Sequence, residues 1–334
     1  MFNYALKTYL KEFMYMANMA DIKVHISAMG NGLKLTGSGY NDKFGNFLKE
    51  LATRICLFCK AEGEVLDFFV KMFPLFKLKR FEELENQLKI APYNQYGMLM
   101  SELIYTGYFD NPTLMEEVNK LSMEDYLEVH KTLLSKVYTE TLICGNLTEK
   151  NAKEIELNFT DTLKNNKLFG NLSIDEIREN RLIAIKPNNI GVYEMELKNA
   201  DEKNSVIGVE FQLEQDPSYE YLNKILEDFL SSLYFEDLRS EQQVGYVVFS
   251  LQCQRKNTSG FIFLIQSDKF LPSDLAEKTY EFLLKQRDNI SKITDEKFNE
   301  IREGILAKFR QDFTSLGLQS NFYMEQIKLS LIHI

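Results

Sequence analysis

One order of elements is written twice along this chain, and that repetition limits what it can fold into. In the first half a helix ending near Ala20 leads into IKVHISAM, a Gly30-Asn31-Gly32 turn, and LKLTGSGY. Asn-Gly between strand-like runs predicts a hairpin, because both residues tolerate positive φ. Asp42-Lys43-Phe44 follows, then a helix whose Leu48, Leu51, Ala52, Ile55 and Cys59 fall on one face. In the second half a helix begins at Asp216-Pro217, a cap residue followed by proline at the first helical position. Its Leu222, Ile225, Leu226, Phe229, Leu230 and Leu233 form an apolar stripe. The hairpin VGYVVFSLQC and GFIFLIQS comes next, then Asp268-Lys269-Phe270, then a helix carrying Leu275, Thr279, Phe282 and Leu283. Asp21 to Phe44 and Val244 to Phe270 are nearly equal in length, the excess lying in the polar loop Gln254 to Ser259.

Each copy gains a further helix. In the second, Phe298, Ile301, Ile305 and Phe309 mark it behind a Thr294 cap, with Asp295 and Glu296 placed to favour the helix dipole. In the first, a helical stretch from Met123 to Lys136 precedes a strand, YTETLIC, that ends at Gly145-Asn146. The segment LKNNKLFGNLSIDEIRENR is polar and weakly patterned and reads as a linker. Beyond it VYEMEL and SVIGVEFQL alternate with a strand period, and Ile207, Val209, Phe211 and Leu213 share a face. The predicted fold class is α+β: two homologous units, each an antiparallel sheet covered by helices. The units are placed at residues 1–165 and 186–334, joined by a linker at 166–185. The first lacks counterparts of VYEMEL and SVIGVEFQL, and the second lacks a closing helix and strand. That asymmetry predicts a piece of a longer protein.

Composition removes several function classes. The chain has 334 residues, enough for two cores. A formal charge of −10, with no run of lysines or arginines, argues against nucleic acid, whose phosphates need a basic surface. The N-terminus, MFNYALKTYLKEFMYMANMADIK, spreads charges through its apolar positions and reads as a helix, not a signal peptide. No apolar run approaches the ~18 to 20 residues that span a bilayer. The four cysteines, Cys56, Cys59, Cys144 and Cys253, are too scattered for a disulfide framework. Reduced thiols in a cytoplasmic compartment are the plain expectation.

Catalytic patterns are sparse. A zinc peptidase needs two imidazoles about one helical turn apart and a nearby carboxylate base. The histidines here are His25, His130 and His333, and no two are four residues apart. His25 is expected half-exposed on a strand, and His130 at a helix surface or boundary; no metal is assigned. Cys56-x-x-Cys59 lies mid-helix without a second such pair and reads as packing. Gly37-Ser38-Gly39 lacks the third glycine of a dinucleotide fingerprint and a strand-then-helix setting. No serine stands in a G-x-S-x-G context.

Arg239 and Tyr246 remain. They lie in FEDLRSEQQVGYVVFS, which leaves an amphipathic helix, crosses a polar turn holding Arg239, and enters a strand through Gly245-Tyr246. Two readings are open. Arg239 could be an exposed helix-end cation and Tyr246 a strand aromatic packed on the next helix. Alternatively, the guanidinium and the phenol grip a peptide carbonyl and a developing oxyanion, where fixed donors are worth ~3 to 4 kcal/mol of barrier.

The same stretch resembles the Leu-Arg-x-x-x-Gln-x-Gly-Tyr segment in the C-terminal half of the insulysin group of zinc metallopeptidases. GSGYNDK (Gly37 to Lys43) looks like that group's Gly-Tyr-Asn-Asp-Lys, and CGNLT (Cys144 to Thr148) like its Gly-Asn-hydroxyl turn. LRSEQQVGYVVFS and FIFLIQSDK follow in the same order, so the likeness covers essentially the whole chain. It implies the third and fourth of four homologous α+β domains, which close a peptide-degrading chamber. The inverted His-x-x-Glu-His zinc site lies in the other half, so the implied partners are a zinc-bearing N-terminal half and peptide substrates, with homo-oligomerisation left open. It favours Arg239 and Tyr246 as substrate-binding residues, and it implies that Zn is held by the other half and not by this chain. Two rivals are a noncatalytic scaffold of the same fold and a module that binds peptides along an exposed strand edge.

Overall fold

A computed structural model of the chain describes all residues except 30–31, 167–169, 174–175, 178–180, 184, 187–188, 198, 200, 215–216, 256–257 and 329–334. In chain order it contains α1 (Phe2–Tyr9), α2 (Lys11–Met19), β1 (Lys23–Met29), β2 (Gly32–Ser38), α3 (Asn41–Lys60), α4 (Glu64–Gln87), α5 (Pro92–Ile104), α6 (Asn111–Lys120), α7 (Met123–Thr132), β3 (Lys136–Val137), α8 (Glu149–Asn165) and β4 (Gly170–Asn171). There follow β5 (Ser205–Glu214), α9 (Pro217–Tyr234), a π-helical turn (Phe235–Glu241), β6 (Val247–Arg255), β7 (Thr258–Ser267), α10 (Pro272–Ile290), α11 (Asp295–Phe309) and α12 (Leu316–Lys328). The fold is the expected mixture of helices and small, mainly antiparallel sheets. No helix among the described residues is long and apolar enough to cross a membrane.

The elements gather into two compact units. The first takes Met1–Glu85, Pro112–Asn180 and Phe313–Ile334; the second takes Asn86–Asn111 and Arg181–Asp312.

In the first unit β1 and β2 pair antiparallel from Lys23↔Ser38 to Met29↔Gly32. Gly30 and Asn31 of the expected turn lie outside the described residues. α3 buries Leu51, Ala52, Ile55 and Cys59, as its spacing predicts, and Phe47, Cys56 and Phe58 beside them. The N-terminal helix is interrupted at Leu10, which is itself buried.

Two expectations fail in this unit. YTETLIC is not a strand: β3 stops at Val137 and pairs in parallel with only Gly170 and Asn171. Alternation is a permissive signal, and a strand also needs an edge to join. His130 is not at the surface but 1 % exposed. It is boxed by the rings of Phe2, Phe58, Phe69 and Tyr126 at 4.5–5.8 Å, with Nε2 2.8 Å from the Phe58 carbonyl and Nδ1 buried without a partner. The rings that cover it come mostly from elements distant in sequence, so its own helix gives no sign of the burial.

In the second unit the strand order is β5-β7-β6, antiparallel throughout. The central β7 is buried along almost its whole length, as a strand covered on both faces must be. One face carries Phe261, Phe263 and Ile265 and packs with Leu230, Tyr234, Leu275 and Phe282 of α9 and α10. The other face meets α5. Tyr93 donates its backbone N–H to Gln266 Oε1 at 3.1 Å. The Tyr96 ring fills the space over Gly208, where any Cβ would lie 2.1 Å from it. On that same face Arg255 spans the sheet to Glu210 through two hydrogen bonds of 3.0 and 2.7 Å.

VYEMEL is a second strand that does not form. Residues 191–197 form no regular secondary structure, and Val192 is 82 % exposed. In the neighbouring stretch a single antiparallel bridge joins Leu182 to Tyr105, and Gln212 of β5 bonds the backbones of Ile183 and Ile185. Leu222 also departs from the α9 stripe and is exposed. Asp216, its expected cap, lies outside the described residues. The side of β6 away from β7 is tied to α9: Gln252 donates its backbone N–H to Glu227 at 3.2 Å, and Ser231 donates to the Ser250 carbonyl at 3.3 Å.

Candidate functional site

The site starts from α9, whose last residue, Tyr234, is fully buried. Its ring lies 5.1 Å from Phe263 and 5.0 Å from Phe282, and its hydroxyl is 3.1 Å from Thr279 Oγ1. Burial pushes its phenol pKa upward. Beyond this anchor the helix widens instead of stopping, because FEDLRSE contains no glycine or proline to end it. The π-helical turn closes with Gln242 N–H donating to the Asp237 carbonyl at 2.9 Å, five residues back, and Val244 N–H to Leu238 at 2.9 Å. Leu238 and Val244 are both fully buried and pin the two ends. Arg239 therefore belongs to a helical extension, and the polar turn expected from sequence is corrected.

The chain then reverses at Gln243, whose φ of 52° is unusual for a residue with a side chain. Gly245 follows, pressed so close to β7 that a Cβ there would lie 2.1 Å from the Gln266 carbonyl oxygen. Only glycine fits without moving backbone. This brings Tyr246 out beside the helical turn, 80 % exposed, with the Arg239 guanidinium carbon 5.3 Å from its ring centroid. A cation over an exposed ring contributes about 0.5–1 kcal/mol.

Arg239 makes no ion pair with any described residue. The carboxylate two residues before it, Asp237, is already engaged by Lys285 Nζ at 2.9 Å and Gln242 Nε2 at 2.8 Å. Burial alone would raise that carboxyl, but the bonds from Gln242 and Lys285 and the lysine charges bring it below its ordinary value. The pair thus offers guanidinium N–H groups and a phenol O–H side by side. It can bind and polarise a carbonyl or carboxylate; it contains neither a base nor a nucleophile.

The other candidates separate from it. His25 is exposed on β1, His130 is enclosed in its aromatic box, and His333 lies outside the described residues. Among the described residues no three His, Cys, Asp or Glu side chains gather as a metal site. Cys56 and Cys59 are buried free thiols pushed up to about 11 and about 12 by burial, in keeping with packing. Gly37-Ser38-Gly39 does stand between a strand and a helix, contrary to expectation, but β2 belongs to an antiparallel hairpin and not a βαβ unit. Sequence reasoning missed Asp237, Gln242 and Lys285. The first two are five residues apart, a spacing that no α-helical rule flags.

Residues 1–117 match the family model described as the middle or third domain of peptidase M16. Residues 225–324 match the model for the C-terminal lobe domain 4 of the PqqF-like PQQ synthase family. The two matches fall in the order expected of a C-terminal half. A nardilysin-like protein of Arabidopsis thaliana is 26 % identical over 96 % of this chain and 31 % of its own length. Human insulin-degrading enzyme is 26 % identical over 88 % of this chain and 28 % of its own.

The chain resembles the C-terminal part of these insulysin-group peptidases. It spans about 30 % of the length of these curated relatives. Solved structures agree on the fold. Pitrilysin superposes with a TM-score of 0.76 at 16 % identity, covering 99 % of this chain and 35 % of pitrilysin. A chain of complex III from Candida albicans superposes at 0.60 with 14 % identity, covering all of this chain and 77 % of that one.

Proposed function

We propose that this chain is the C-terminal, substrate-enclosing half of an insulysin-like zinc metalloendopeptidase that hydrolyses peptides in a closed chamber. The zinc belongs to the N-terminal half, this chain's partner, since among the described residues no side chains gather to hold it. The part played by this chain is to hold substrate: Arg239 donates to a peptide carbonyl, and Tyr246 donates its O–H to charge developing at the cleaved bond. The observation that carries this reading is a guanidinium on the helical turn, without an ion pair among the described residues, set 5.3 Å from the ring of an exposed phenol. The free thiols suit a reducing, cytoplasmic compartment.

The test joins this chain to a zinc-bearing half and compares peptide turnover by the parent, Arg239→Ala and Tyr246→Phe. Each substitution is expected to lower kcat/KM by about 100-fold, as loss of one transition-state donor does. Full turnover by both variants, correctly folded, defeats the assignment.

The scaffold alternative draws on the fold likeness to the complex III chain. It predicts that turnover is absent whatever half is supplied. Peptide addition along β6 is disfavoured, because Glu227 and Ser231 already occupy its outward backbone groups at Gln252 and Ser250.

A further inference from the structure

Arg239 lies inside a closed ring of hydrogen bonds. The backbone ends of its turn are joined by Gln242 N–H to the Asp237 carbonyl at 2.9 Å, and the side chains of the same two residues by Gln242 Nε2 to Asp237 Oδ1 at 2.8 Å. The other carboxylate oxygen, Asp237 Oδ2, accepts from Lys285 Nζ at 2.9 Å. Gln242 Oε1 accepts from Lys278 Nζ at 3.1 Å. Lys278 and Lys285 are seven residues apart on α10, two helical turns, and so rise from one face. Four side chains therefore tie both ends of the turn to a helix that is itself locked into the core by Leu275, Thr279 and Phe282.

We infer that Asp237, Gln242 and Lys285 are positioning residues for Arg239, fixing the direction of its guanidinium and keeping the adjacent carboxylate occupied. The inference rests on the reading of Arg239 as a substrate-binding residue. Two features separate it from plain stabilisation. The ion pair is lopsided: the Asp237 side chain is 13 % exposed and that of Lys285 is 60 % exposed. A half-solvated pair of this kind adds little to global stability. The ring also encloses only the residues that carry Arg239, so what it restrains is local.

The experiment has two arms. In the first, the full chain is labelled at arginine, and the Nε–Hε signal of Arg239, identified by its loss in Arg239→Lys, is followed by heteronuclear NOE. The parent is expected to show a rigid Nε–Hε group. Lys285→Met and Asp237→Asn should leave the fold intact and make that group mobile, and Lys285→Arg should restore rigidity. In the second arm, the same variants joined to a zinc-bearing half should lose about tenfold in kcat/KM, since a displacement near 1 Å can cost up to 100-fold. An Arg239 signal unchanged in Lys285→Met overturns the positioning role. A mobile Arg239 with undiminished turnover leaves the positioning role standing and overturns substrate binding by Arg239. If Asp237→Asn fails to fold, Lys285→Met, at a mostly solvated position, decides the question.

Discussion

Replacing Arg255 with methionine tests whether α5 closes a buried ion pair over the sheet. Arg255 and Glu210 are 13 % and 10 % exposed in their side chains and share two hydrogen bonds. Methionine keeps the aliphatic stem but leaves a carboxylate with neither donor. Removing one member of a buried pair costs roughly 3–5 kcal/mol, because the remaining charge is stranded. The residual exposure places the cost near the lower end, about 3 kcal/mol. Replacing both residues, as Glu210→Leu with Arg255→Met, removes the stranded charge and should cost about 1 kcal/mol or less. With a urea slope of about 2 kcal/mol per molar, the single change lowers the midpoint by about 1.5 M and the double by about 0.5 M. A chain of two units need not unfold in one transition, so the probe must report on the second. Hydrogen exchange of β7 backbone amides across a urea series does so. A single-variant shift under about 0.5 M, or a double variant worse than the single, refutes the reasoning.

Two other outcomes follow from burial. Desolvation in the aromatic box holds the His130 imidazole below its ordinary value near 6.5, against the hydrogen bond with Phe58, which raises it, while Lys131 lowers it further. The folded chain then binds fewer protons than the unfolded chain just below that value, so stability of the first unit falls as pH drops through about 6.5 and beneath it. An NMR titration should find the His130 imidazole still neutral, with its proton on Nε2, as the pH falls below 6.5; an imidazole already charged at that pH refutes the burial argument. Cys56 and Cys59, pushed up to about 11 and about 12, should resist a thiol reagent at pH 8 while the partly exposed Cys144 reacts. Equal reaction rates for Cys56, Cys59 and Cys144 would contradict the packed α3.

The hairpins and the stripes of α3 and α10 were legible because one period, two or about 3.6, covered each element and had a core to bury against. α4 was not. Pro74 lies inside it, and exposed Val70 and Leu78 alternate with buried Phe69 and Phe76, so no single face stands out. VYEMEL and YTETLIC satisfied the strand period and found no edge, which sequence cannot supply. The nearness of Arg239 and Tyr246 was readable from the order of helix, Gly245 and strand. Its scaffold was not, since a bond from Gln242 to Asp237 leaves no repeating pattern. The Glu210–Arg255 pair joins residues 45 positions apart across a third strand, and only the sheet order reveals it.

The widened turn has one last consequence. In an ordinary helix each added residue swings the next side chain by about 100°. The looser winding between Phe235 and Glu241 absorbs extra chain length without ending the rod, so the angular setting of the guanidinium is a property of pitch. Shortening this stretch by one residue would let it wind tightly again and turn the charge away from the phenol, although every residue that defines the motif would still be present.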